Sequence, residues 1–521
     1  MSKSAHRQEG NGDDAQLAAL GHTAELERNF SFFSMLGLAY AIPNSWPALA
    51  ASLSLALPSG GPVSVIWGLV TSGFCNLCVA ASLAEFLSAY PISAGQYYWV
   101  AAICWNEWVP VMTWITGWIN TTGWIALTAT AGLLGSQLMT GIIAFYKPSY
   151  EPEKWHQFLL YTGYIVVAVI INVFGTRALP LLNKAAFIWS LAGFAIVGIT
   201  LLVCAAPDYQ PADVVYTKFI NTTGWPDGIA WLLGLLQGSL GLAGFDAVAH
   251  MIEEIPNPKK EGPRTLLASI LMGIITGFIF LSILLFVLKD IDTVISSPAG
   301  PLLQIFYDST GSKVGSVCLM VVPLMCFLFA SVSLLTTSSR MTYAFARDKG
   351  LPLSATFARV HRGLGLPLPA IFLTAIVDIL LGCLFLGSTS AFNAVASASI
   401  VALGVSYAIP IVILCLRGRR ILPEDRIFKL PNTVGWVLNL ISIAFLTLTT
   451  VLFVFPPALP VSAASMNYCI AAFAVIILIS TFQWIVDGRK NFNGPLVAPH
   501  NQIEGVGEDS HVEGNAHIGK K

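Results

Sequence analysis

Apolar runs of about 20 residues, parted by short polar stretches, recur from residue 31 to residue 486. A run of that length crosses the hydrocarbon core of a bilayer as a helix. The pattern predicts about twelve spans, over 31–56, 61–89, 109–143, 157–174, 182–205, 229–254, 265–288, 314–346, 369–387, 391–416, 434–455 and 467–486. The first, third and eighth windows are long enough to hide a break. Two runs are visibly interrupted. The first, Phe30 to Leu57, contains Pro43-Asn44-Ser45-Trp46-Pro47, and the sixth, Ile229 to Ile252, contains Gly238, Gly241, Gly244 and Asp246. Irregular backbone in a bilayer is tolerated only where it lines a cavity or is buried in protein. Paired broken helices in corresponding places are the sequence pointer to a transporter's substrate site.

Spans one to five and six to ten each begin with the broken helix. This predicts an all-α integral membrane protein of about 12 transmembrane helices, a five-plus-five inverted repeat with broken helices 1 and 6. A polar cytoplasmic tail is expected over 1–29 and a transporter domain over 30–488. Within it, repeat one covers about 30–205, repeat two about 228–416, and helices 11 and 12 about 434–486; a second polar cytoplasmic tail covers 489–521.

Composition narrows the alternatives. The chain is 55% hydrophobic and 11% charged, with mean hydropathy +0.72, against about 25% charged residues in a soluble protein. The net charge of -1 excludes a basic protein built for nucleic acid. Most cysteines sit singly in apolar runs and read as small hydrophobes. Cys75 and Cys78 form a CxxC inside a predicted span without a neighbouring histidine, so no metal site or cofactor is expected. The first 28 residues lack the apolar core of a cleavable signal peptide. With the N-terminus cytoplasmic, only Lys147, Lys154, Lys218, Lys289 and Lys313 of the 27 lysines and arginines fall outside. That bias supports an even number of spans with both termini cytoplasmic, in a multi-pass protein of the plasma membrane. Asn221-Thr222-Thr223 is a glycosylation sequon on the outer side; Asn120-Thr121-Thr122 matches the same pattern but lies within a span.

The candidate substrate site is Asn44, Ser45, Trp46, Gly241, Gly244, Phe245 and Asp246. Pro43 and Pro47 lack an amide hydrogen and disfavour helix in the residue before them. The half-helix starting near Trp46 would then aim free amides at the gap, where an anionic group is favoured; a packing kink is the plainer reading. Gly241 and Gly244 permit close backbone approach. Asp246 at mid-membrane costs roughly 2.5–3.5 kcal/mol if it faces lipid. It pairs with a cationic substrate group or, as the preferred reading, caps the half-helix beginning there.

Glu85, His250 and Glu253 are candidates for coupling or gating. His250, Glu253 and Glu254 share one helical face and could relay protons; the alternative has the two glutamates close the inner end of the span beside Lys259, Lys260 and Arg264. Trp114, Trp118 and Trp124 offer either a cation-binding face or packing. Asp378 in the ninth span needs a partner that the sequence does not name. There is no catalytic constellation: GxxxxGK[ST], GxSxG and HExxH are all absent, so no ATP motor and no enzyme is indicated.

The stretch from Phe30 to Leu53, Ser59-Gly60-Gly61-Pro62, Ala84 to Pro91 and Ala94 to Tyr97 resemble the fungal amino acid/choline transporters of the amino acid–polyamine–organocation superfamily. So do Gly244 to Met251 with Glu253-Glu254, Ala344 to Asp348 with Gly350-Leu351-Pro352, and Thr389 to Asn393. The resemblance covers roughly residues 28–490. It implies twelve helices, alternating access around the first and sixth, and the unwound segments at Asn44-Ser45-Trp46 and Gly244-Phe245-Asp246. The expected function is a secondary active permease for a small amino acid or related amine, such as 4-aminobutyrate, with the proton as coupling ion. Transport of choline or another quaternary amine is the alternative, and a non-transporting nutrient sensor is a further one of another class. Lys259 and Lys260 are expected to react with membrane-impermeant amine reagents from the cytoplasmic side only; labelling from outside would reverse the topology.

Overall fold

In the computed structural model, residues 31–147, 149–150, 153–387, 391–462 and 466–495 are described. The tail over 1–29, most of the tail over 489–521, and Thr389-Ser390 lie outside them. The described chain is helical and contains no β-strand among those residues. The first span is two half-helices, Phe32–Ala41 and Ser45–Ala51. Spans two to five are Gly61–Ala89, Val109–Tyr146, Lys154–Phe174 and Leu179–Ala205, with a short helix, Gln96–Ile103, between the second and third. The sixth is Asp227–Leu240 followed, after six irregular residues, by Ala247–His250. Spans seven to twelve are Pro258–Val287, Lys313–Arg347, Leu368–Gly387, Ala391–Arg417, Asn432–Leu452 and Cys469–Gln483. Among the described residues, nine unbroken helices are long and apolar enough to cross a membrane. The two broken spans and the shorter ninth complete the twelve.

The third and eighth windows prove continuous. Pro323 is accommodated inside the eighth helix, and the third runs for 38 residues. The third span carries many hydroxyls, and its own carbonyls satisfy several of them. Thr116 Oγ1, Thr128 Oγ1 and Thr130 Oγ1 each donate to the carbonyl four residues earlier, at 2.7, 2.9 and 2.8 Å. A polar helix can therefore sit in the middle of the bundle. Its most apolar stretch is 83% buried, whereas that of the twelfth span is 11% buried and faces outward.

The packing pairs are reciprocal between the halves. The second span packs on the seventh, the third on the eighth, and the fourth on the ninth. The third also packs on the tenth, as the eighth does on the fifth. Two units of opposite sense, interleaved, give these partnerships. Both broken spans are thereby enclosed by neighbours, which is the condition for irregular backbone at membrane depth.

The first break differs from the proline expectation in its detail. Ile42, before Pro43, keeps right-handed helical angles (φ -68, ψ -58). The turn is made instead by Asn44, in the left-handed conformation at φ 47 and ψ 43. Asparagine is among the few side-chain-bearing residues that adopt this readily. Pro47 falls in the first turn of the next half-helix, where no amide hydrogen is needed.

Close helix contacts rest on small residues. A Cβ at Gly117 of the third span would stand 2.2 Å from the Phe345 ring of the eighth. Gly117→Val is expected to lower stability by about 1–3 kcal/mol, read as a reduced melting temperature of the detergent-solubilised protein; an unchanged midpoint would mean that the third and eighth helices are not packed this closely.

Candidate functional site

The two breaks meet at the centre of the bundle. Gly244 has φ +80, a left-handed conformation that other residues rarely adopt, and a Cβ there would stand 2.8 Å from Ile42 Cγ2 and 3.0 Å from Leu127 Cδ2. Gly241 lies equally close to Leu49 of the second half-helix. Among the described residues, the amides of Gly244, Phe245 and Asp246 donate to no backbone carbonyl. The Asn44 Nδ2 and Ser45 Oγ atoms are buried without a hydrogen-bond partner.

Asp246 is fully buried. It occupies the cap position of Ala247–His250, yet its carboxylate makes no cap hydrogen bond, so the preferred cap reading is corrected. Its oxygens are instead held from across the bundle. Gln96 Nε2 donates to Oδ2 at 2.7 Å and the Tyr407 hydroxyl donates to Oδ1 at 2.5 Å. Gln96 is fixed in turn, because Asn120 Nδ2 of the third span donates to its Oε1 at 2.6 Å. Asn120 also approaches Ser406 Oγ of the tenth span at 3.4 Å. The Phe245 and Tyr407 rings lie 5.3 Å apart, and the edge of Trp124 meets the His250 ring at 5.4 Å between centroids. These side chains are all buried, so the site is closed to solvent in this conformation.

His250 Nε2 lies 3.4 Å from Asp246 Oδ2. On its other side, Nδ1 stands 3.0 Å from the Ser93 carbonyl oxygen. A carbonyl only accepts, so Nδ1 carries the hydrogen of that bond. In a neutral ring Nε2 then presents a lone pair to a carboxylate oxygen, and the contact becomes favourable when a proton sits on one of them. The ring has space because residue 95 is glycine: at φ +58, a Cβ there would lie 2.7 Å from His250 Cε1.

The other sequence candidates are dispersed. Trp46 points away from the gap. Its Nε1 donates to Ser190 Oγ at 3.0 Å, and its ring packs on Phe280 at 4.5 Å. Glu253 lies further along the sixth span; Oε1 accepts from the Ser93 amide at 2.9 Å, and Arg347 is 4.0 Å from Oε2. Glu254 pairs with Arg340 at 3.2 Å. The two glutamates therefore face arginines of the eighth span, while Lys259 pairs with Asp425 and Arg264 with Glu261. Glu85 is buried in the second span and binds the connection between spans ten and eleven. It is hydrogen-bonded to Arg419, lies 3.4 Å from Arg426, and accepts from the Leu430 amide at 2.9 Å. Both carboxylate oxygens of Asp378 are buried with no hydrogen-bond partner. Trp114 and Trp118 pack with Phe345.

Gln96, Asn120, Ser93 and Tyr407 escaped the sequence reading as site residues. Asn120 carried a usable signal, since an amide in mid-span needs a partner. The others become visible only when distant elements are brought together.

Known proteins give a consistent comparison. The sequence model of a family described as amino acid permease matches residues 30–480. A protein of Macrophomina phaseolina (strain MS6) named as an amino acid/polyamine transporter is 36% identical over 84% of this chain and 97% of its own. The choline transporter of Saccharomyces cerevisiae is 28% identical, covering 94% of this chain and 87% of its own. An amino-acid permease of Arabidopsis thaliana is 30% identical, covering 92% and 96%.

Asp246→Asn keeps the size and much of the hydrogen bonding but removes the charge. Uptake is expected to fall about tenfold or more, equivalent to roughly 1.4 kcal/mol, with surface delivery retained. Normal uptake by the delivered variant would take Asp246 out of the transport path.

Proposed function

The chain belongs to the amino acid permease family, a multi-pass membrane transporter and not an enzyme, and from that premise we propose that it carries a small amino acid or related amine coupled to protons. The observation that carries this reading is the Asp246 carboxylate. It is buried between the two breaks, and its one ion-pair neighbour among the described residues is a histidine. Gln96 and Tyr407 orient it without neutralising it. A substrate ammonium supplies the missing positive charge, and a substrate carboxylate meets the free peptide groups of the breaks. Asn44, Ser45, Gly241, Gly244 and Phe245 complete the lining, while Trp46 supports the first half-helix from behind.

The His250–Asp246 contact supports proton coupling. A proton held between Nε2 and Oδ2 relieves two acceptors that otherwise face each other at 3.4 Å. When the proton leaves, that stabilisation is lost and the closed arrangement of the site is weakened. Residues 30–205 and 228–416 act as the two repeats, which tilt about this point. On the outer side a cavity of about 290 Å³ between Gln137, Gln157 and Ala299 is the entry vestibule. On the inner side the ion pairs of Glu85, Glu253 and Glu254 close the exit. Both termini are cytoplasmic, and the plasma membrane is the site of action.

A second reading is a choline-like substrate. It is favoured by the rings of Phe245, Tyr407 and Trp124 around one carboxylate, the components of an aromatic cage, and by the similarity to the yeast choline transporter.

A radiolabelled panel of amino acids, 4-aminobutyrate and choline, offered to expressing cells at two external pH values, separates these readings. Amino acid uptake that rises at the lower pH and collapses with a protonophore is expected. Uptake of choline alone would establish the second reading, and pH-independent uptake would remove the proton from the mechanism.

A further inference from the structure

A groove of about 570 Å³ runs along the outside of the tenth span, on the face of that helix turned away from the substrate site. One wall is Val405, Ala408, Ile409 and Val412 of the tenth span; the other includes Leu446, Thr450 and Val451 of the eleventh. Trp105 and Trp108, both largely exposed, form its rim just before the third span begins. From Val405 to Leu416 the helix rises about 16 Å. One leaflet contributes about half of a hydrocarbon core roughly 30 Å thick. On the tenth span the groove is one leaflet long, and its eleventh-span wall continues past mid-membrane to Val451, close to the far end of that helix; it is open to lipid and apolar along its length. Exposed tryptophans mark the headgroup level at its mouth.

Charge identifies which lipid fits. Arg417, the last residue of the tenth span, is exposed. Its Nη1 donates to the carbonyls of Ile103 and Cys104 at 3.2 and 3.0 Å, and its guanidinium lies 5.6 Å from the centroid of the Trp105 ring. The guanidinium is therefore fixed at the rim, with Arg420 exposed three residues on. With the termini cytoplasmic, as argued above, this mouth opens on the cytoplasmic leaflet, the one that carries anionic phosphatidylserine and phosphatidylinositol.

We propose that this groove is a binding site for an anionic phospholipid of the cytoplasmic leaflet, its acyl chain lying between the tenth and eleventh spans and its headgroup on Arg417. The site bears on transport through the helix it supports. Tyr407 projects from the opposite side of the same helix, where it holds Asp246. A seated chain fills the back of that helix and keeps the hydroxyl in place. The site rests on the membrane orientation proposed above and is independent of which substrate is carried.

Native mass spectrometry of the full-length protein, released from nanodiscs holding equal phosphatidylserine and phosphatidylcholine, tests the site without reference to uptake. Phosphatidylserine is expected to be retained at least about fivefold over phosphatidylcholine. Arg417→Gln should abolish that preference and Arg417→Lys should restore most of it. Ala408→Trp should remove the retained lipid altogether; if that variant does not fold, Val412→Trp, nearer the lip, gives the same reading. Equal retention of the two lipids would overturn the proposal. So would preferential retention of ergosterol added to the discs, or a lipid-free dimer formed through this face.

Discussion

A carboxylate in the middle of a membrane has to be held, and the holders of Asp246 organise the centre of this protein. They come from separated parts of the chain: the turn after the second span through Gln96, the third span behind it through Asn120, and the tenth span through Tyr407. Each holder is neutral. The arrangement satisfies hydrogen-bonding demand while leaving the charge open, which is the reverse of what a purely structural buried ion pair does. Unwinding of the sixth span follows from the same need. A regular helix through Gly244 would not bring the carboxylate and the free amides beside Ile42 and the turn at Asn44.

The end of the bundle that holds the other three glutamates uses charge differently. Glu85, Glu253 and Glu254 each meet an arginine from another element. These pairs bridge the second span to the connection after the tenth, and the sixth span to the end of the eighth. Breaking a buried pair by removing one partner costs several kcal/mol, whereas exposing both to water together costs far less. Such contacts suit a seam that opens as a whole and resists opening piecemeal.

How much of this was readable in the chain varies by element. Apolar run length located the spans, because a lipid core imposes its thickness on every helix alike. The position of the first break was legible from Pro43-Asn44-Ser45-Trp46-Pro47, although Asn44 makes the turn and the prolines merely tolerate it. Trp46 lay in the right segment and on the wrong side, since facing is set by which neighbour offers Ser190 and Phe280. Arg340 and Arg347 read as inner-face charges; that they meet Glu254 and Glu253 depends on how the sixth and eighth helices pack. Asn120 was obscured by an accidental sequon. Gln96 and Tyr407 gave no local sign, because their partner is 150 or more residues away.

Ser93 ties two elements together mechanically. Its amide bonds Glu253 and its carbonyl bonds His250, so a single peptide residue grips the second half of the sixth span at two points three residues apart. That short segment cannot swivel about its axis without dragging the 90–95 turn along. The two behave as a lever with its own bearing, and a rotation that displaces the imidazole also pulls on the segment that seats Gln96.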